Sequence, residues 1–208
     1  MVLAMIYFNK SPRIVIHLIV KKLLILAAVS GFLLLTPGQV LAAKHGSDPT
    51  AGLDGLFQQL QSAPTYEKAL GIEQLIWGLW MNNDQPLVTS RMQIGVYFMQ
   101  QGRLDMAYQV FSDVVKLDPT YAEGWNKRAT VAYMMGQLQP SIIDIQKTLA
   151  LEPRHFGALS GLGLIHILSG QPETALKVFK KVLEIYPQNI GAQKKIIDLK
   201  KIIAKNNI

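Results

Sequence analysis

The chain contains no cysteine in 208 residues. This excludes disulfides, a thiol nucleophile and Cys-ligated zinc, and it excludes lipid attachment through an N-terminal cysteine. The first 43 residues contain no acidic side chain, while Lys10, Arg13, Lys21 and Lys22 supply four of the seven net positive charges. The remainder is left at only +3, so the basic balance of the whole chain is no argument for a nucleic-acid partner. Nor are aromatics interleaved with basic residues, as a base-stacking surface would need.

What the N-terminal segment does contain is a targeting pattern. After Lys21 and Lys22 comes a mainly apolar stretch from Leu23 to Leu35, then the breaker Thr36-Pro37-Gly38, then Val40-Leu41-Ala42-Ala43. Positive start, apolar centre and small residues at the end describe a secretory signal, with cleavage after Ala42 or Ala43. The centre is shorter than the roughly 20 residues that span a bilayer. A second apolar patch, Ile14 to Val20, leaves two further readings open: an internal start, or an uncleaved anchor running from Ile14 to Leu35. Residues 1–43 are thus expected to direct export to the periplasm, or to tether the chain to the inner membrane by residues 14–35.

Beyond this segment the chain repeats itself every 34 residues. Pro119, Pro153 and Pro187 keep that step, as do Gly102, Gly136 and Gly170. So do three small-residue positions (Gly95, Ala129, Gly163), a second small set (Ala107, Ser141, Ala175) and the large apolar set Phe111, Ile145 and Phe179. Each column has a steric reason. Small residues let two helices approach closely, and the large apolar residue one turn on fills the space between neighbouring pairs. Glycine takes the left-handed turn that ends a first helix. Proline lacks the N–H that a continuing second helix needs, whereas Pro140 and Pro172 fall in first turns, where proline is tolerated. The expected fold class is therefore all-α, a solenoid of antiparallel helix pairs.

This pattern resembles the tetratricopeptide repeat (TPR) family. It is read most fully in Trp125, Ala129, Gly136, Ser141, Ile145 and Pro153, with Ile145 replacing an aromatic and Arg91 and Leu159 standing where Trp125 stands. The stretches 123–129 and 152–159 are also similar to small exported TPR proteins of Gram-negative bacteria. The resemblance implies a right-handed solenoid with repeats at 88–121, 122–155 and 156–187. The flanks are read from their own apolar spacing. Leu53, Leu56, Phe57 and Leu60, then Ala69, Leu70, Ile76, Leu79 and Trp80, predict a degenerate helical pair over 53–87 that ends the stack. It follows a mobile leader at 44–52. Residues 188–208 predict a basic capping helix, with Ala192, Ile196, Leu199 and Ile203 on one face and Lys194, Lys201 and Lys205 on the other.

No residue constellation points to catalysis, a cofactor or a metal. His155 and His166 lack the one-face spacing of a metal pair. Gly157 to Gly163 lacks the order of a nucleotide loop, and Ser160 lacks the flanking glycines of a nucleophile elbow. Trp77, Trp80 and Trp125 are expected at helix contacts, and the lysine-rich end as a solvated cap face.

The resemblance places a partner groove on the first helices of the pairs. It implies Met92, Gln93, Val96, Met99 and Gln100, then Glu123, Asn126, Lys127, Thr130, Tyr133 and Met134, then Ser160, Leu164 and Ile167. The fifth positions Met92, Asn126 and Ser160 depart from the Lys/Arg/Asn cluster with which some TPR domains hold a terminal carboxylate. A protein or peptide segment with apolar anchors is the expected ligand. The expected function is an exported, non-enzymatic adaptor that grips such a segment within an envelope assembly. A non-catalytic regulatory subunit of an envelope enzyme complex is the alternative.

Overall fold

A computed structural model describes residues 49–206, and the expected signal or anchor segment at 1–43 lies outside them, as do residues 44–48 of the expected leader. The described residues form nine helices: α1 Pro49–Ser62, α2 Tyr66–Met81, α3 Pro86–Gln100, α4 Leu104–Leu117, α5 Ala122–Met134, α6 Leu138–Leu151, α7 Phe156–Leu168, α8 Pro172–Ile185 and α9 Ile190–Asn206. All belong to one compact unit, residues 46–208. Among the described residues, no helix is long and apolar enough to cross a membrane.

The repeat columns do the steric work expected of them. Gly102, Gly136 and Gly170 have φ of +70°, +74° and +67°. Each closes its helix the same way. The Arg103, Gln137 and Gln171 amides donate back to the Phe98, Ala132 and His166 carbonyls at 2.8–2.9 Å. The glycine amides donate to Met99, Tyr133 and Ile167 at 2.9–3.1 Å. This double closure satisfies carbonyls that a helix end otherwise leaves unpaired. The second helices stop at Leu117, Leu151 and Ile185, two residues before each proline.

Within each pair, close approach depends on the small residue. A Cβ added at Gly163 would lie 2.7 Å from the Phe179 ring, and one at Gly95 2.5 Å from the Phe111 ring. Ala107, Phe111, Ala175 and Phe179 are buried. We predict that Gly163→Ile lowers stability by about 1–3 kcal/mol or more through overpacking, read as a shift in the urea midpoint. An unchanged midpoint would show that α7 and α8 do not pack as described.

The flanking elements differ from expectation in two respects. Helix α1 begins at Pro49, so residues 49–52 are helical rather than part of a mobile leader. The pair α1–α2 is present but does not simply end the stack. Helix α1 packs against α8, and α2 against α5. The physical reason is a shared core: Phe57, Leu60, Ala63, Ala69, Ile76 and Trp80 are buried together with Phe156, Leu159, Ala175, Phe179, Tyr186 and Ala192. Polar ties reinforce it. The Tyr121 hydroxyl donates to the Trp80 carbonyl (2.9 Å), and the Tyr186 hydroxyl to Glu73 (3.0 Å). Arg154 pairs with Asp54 at 2.6 Å while lying 4.2 Å over the Phe57 ring.

The first repeat has a separate core of Val88, Met92, Ala107, Phe111, Val114, Tyr121 and Val131, joined by Met81 from the end of α2. At the other end, Ala192, Ile196 and Leu199 of α9 are buried, and Lys194, Lys195, Lys200, Lys201 and Lys205 face outward.

Candidate functional site

The inner helices α5 and α7 leave an open groove of about 330 Å³ between the second and third repeats. Its lining includes Asn126, Thr130, Tyr133 and Met134 from α5 and Ser160 and Leu164 from α7. Gly157, Gly161, Ala129 and Ala158 leave its floor low, and Ser141 and Ile145 close it from α6. None of the lining side chains carries a formal charge. Thr130 and Met134 are exposed, whereas Tyr133, Ser160 and Leu164 are half-buried.

The first repeat contributes less than expected. Met92, placed in the groove by the repeat position, is wholly buried in the first repeat's core. Val96 and Met99 are half-buried and pack against the same core, and of that set Gln93 and Gln100 are exposed. Met81 explains the change at Met92, because the end of α2 joins the core around it.

Glu123 also departs from expectation. The second position of the repeat predicts a place on the groove wall, yet Glu123 is fully buried. Its Oε2 accepts from Asn126 Nδ2 at 2.9 Å and meets His155 Nε2 at 2.9 Å. Its Oε1 pairs with Lys127 Nζ at 2.8 Å. The ring of His155 does two jobs at once. Its Nδ1 accepts the Ala158 amide at 3.1 Å, capping α7, which assigns the proton to Nε2 for donation to Glu123.

The N-terminal pair seals this cluster. Trp80 stacks on His155 at 4.0 Å and 6°. Trp77 meets the same imidazole edge-on at 5.6 Å and takes Lys127 over its ring at 5.2 Å. A Cβ on Gly157 would lie 2.7 Å from Trp77. One stretch of the inner face is therefore already occupied by the chain itself, and Lys127 is committed there rather than offered to a ligand.

Burial by itself raises the Glu123 pKa. The His155 hydrogen bond and the Lys127 charge outweigh it and hold the carboxyl below its ordinary value. Burial first, then the charges of Glu123 and Asp118, push the Tyr121 phenol well up, so it stays a neutral donor.

On the other side of α5, Arg128 grips buried Asp144 with two hydrogen bonds of 2.7 Å and lies 4.8 Å over Trp125. The Trp125 indole donates to the Pro119 carbonyl at 2.9 Å. His166 is apart from His155 and shares a 2.7 Å hydrogen bond with Gln171. The described residues contain no group of three or more His, Asp or Glu arranged to hold a metal.

Sequence reasoning missed the Glu123–His155 pair and the Arg128–Asp144 pair. A usable signal existed for the first: an acidic second position and an imidazole at the last position of the same repeat, 32 residues apart. The docking of Trp77 and Trp80 had no comparable signal.

Three antiparallel pairs in constant register, each with a left-handed glycine between its helices and stacked around a low-floored inner face, define a helical-repeat protein. Two models of the tetratricopeptide repeat match, one over residues 88–121 and one over 156–189. A TPR repeat-containing protein of Rhizobium etli is 36% identical over 160 residues, spanning 77% of this chain and 78% of the relative. The chain belongs to the tetratricopeptide repeat family.

Solved structures agree on the fold. The first TPR of Spaghetti (RPAP3), bound to an HSP90 peptide, superposes with a TM-score of 0.56 at 21% identity, covering 58% of this chain and 96% of that one. MamA superposes with a TM-score of 0.54 at 23% identity, covering 74% of this chain and 83% of that one.

Proposed function

We propose that the chain is a non-catalytic adaptor that binds a protein segment along the inner face of α5 and α7. The observation that carries this reading is the open, uncharged groove with an adaptable rim of Thr130, Tyr133, Met134 and Leu164. Spaghetti, which shares the fold, holds an HSP90 peptide. A segment with apolar anchors suits the groove here, because no cation lines it and Lys127 is tied to Glu123 and Trp77. Such surfaces are read by a few apolar anchors rather than by charge.

The same reading puts the protein in the bacterial envelope, exported or tethered by its first 43 residues. The support is the positive start, apolar centre and small-residue end of that segment. N-terminal sequencing of the protein recovered from cells tests this part. A mature start at Ala43 or Lys44 supports cleavage, and recovery of an intact N-terminus in the membrane fraction supports the anchor. Recovery of the intact chain free in the cytoplasm contradicts both.

The groove is tested with residues 46–208 and a Thr130→Arg/Leu164→Arg variant. Both substitutions sit on the groove wall and outside the Glu123 cluster. The expected result is that the unchanged protein retains a defined envelope protein and the folded variant loses it. Equal retention by both contradicts the groove as the binding surface.

A further inference from the structure

Repeat register shows which faces of a solenoid are normally covered, and among the described residues one face is bare. Tyr97 is 57% exposed, while the residues 34, 68 and 102 positions later, Val131, Ile165 and Leu199, are 0%, 1% and 1% exposed. Leu87 is 55% exposed, while its counterparts Tyr121 and His155 are 8% and 0%. Ile94 is exposed, while its counterparts Arg128 and Leu162 are half-buried and Ile196 is buried. In α5, α7 and α9 this face is covered by the preceding helix, α4, α6 or α8 respectively.

Helix α2 precedes α3 in the chain but is held elsewhere, by the Trp80–His155 stack and by the Tyr121 and Tyr186 hydroxyls that donate to Trp80 and Glu73. The first helix of the first repeat therefore shows an apolar stripe whose equivalents in the later repeats are buried or half-buried.

We propose that a second copy of the chain covers this stripe, α3 against α3 across a two-fold axis. The stripe runs Leu87, Ser90, Ile94, Tyr97, in steps of three and four, the spacing of a helix–helix seam. Helices that cover the equivalent faces run antiparallel to them, and so does a copy of α3 related by a two-fold. The ends are complementary in charge. Exposed Asp84 lies just before α3 and exposed Arg103 just after it. Antiparallel pairing brings the Asp84 end of each copy against the Arg103 end of the other, twice. An isologous contact of this kind closes on itself and buries both stripes.

Sedimentation equilibrium on residues 46–208 tests the proposal, since that unit holds every described helix. The expected result is a monomer–dimer equilibrium that Tyr97→Glu and Ile94→Arg each weaken at least about tenfold, with helical content by circular dichroism unchanged. Asp84→Lys weakens the dimer, and adding Arg103→Asp restores it. A monomer at every concentration overturns the proposal, as does a dimer indifferent to Tyr97→Glu. Association abolished by Ile197→Glu on α9 but untouched by Ile94→Arg also overturns it, because that marks head-to-tail stacking.

Discussion

Replacing Glu123 with alanine is expected to destabilise the protein by about 3–5 kcal/mol, the range for breaking a buried charge pair from one side. The change removes the acceptor shared by His155, Asn126 and Lys127, all within 2.9 Å of the carboxylate. Glu123→Gln keeps the shape and an acceptor for His155, so its loss is smaller. The same residue sets an acid limit. Its pKa is lower folded than unfolded, so its contribution is complete above the ordinary glutamate value of about 4.3. That contribution disappears as pH falls through the lower folded value. Urea midpoints measured from neutral pH down to about pH 2 should fall less steeply in Glu123→Gln than in the unchanged protein. Parallel curves would mean that Glu123 is not held as an ion.

Trp80→Ala carries an expected loss of similar size, about 3–5 kcal/mol for removing a buried aromatic. The indole stacks on His155 and touches Phe57, Trp77 and Phe156 at centroid distances of 5.0–5.9 Å. It bridges the N-terminal pair and the repeats. Local consequences should exceed those of an ordinary core truncation, and amide exchange in α1 and α2 should accelerate more than in α3 and α4. Trp80→Phe should retain most of the stability, because the buried indole N–H makes no hydrogen bond to the protein. Uniform acceleration across all nine helices would contradict the bridging role.

The contrast between these two sites and the repeat columns shows what a sequence reveals here. Gly102, Gly136 and Gly170 were legible because only a residue without Cβ takes their φ cheaply. Gly163 and Phe179 were legible as a small residue in register with a large one, which the 2.7 Å approach explains. Such requirements are local and recur with the period. Trp77 and Trp80 instead meet His155 and Phe156, which no repeat period relates to them, so their apolar spacing predicts a helix without saying what it covers. The groove was partly legible for the same reason. Thr130, Tyr133, Ser160 and Leu164 follow repeat geometry, while Met92 and Glu123 were taken out of the surface by Met81, Trp80 and His155.

Binding in the groove is open to site-specific photo-crosslinking in whole cells, with the reactive group placed in turn at Thr130, Ser160 and Lys116. Thr130 and Ser160 flank the groove, whereas Lys116 is exposed on α4, away from it. The expected result is one discrete protein adduct common to Thr130 and Ser160 and absent from Lys116. Adducts of the same protein from all three positions, or from Lys116 alone, would contradict binding in the groove.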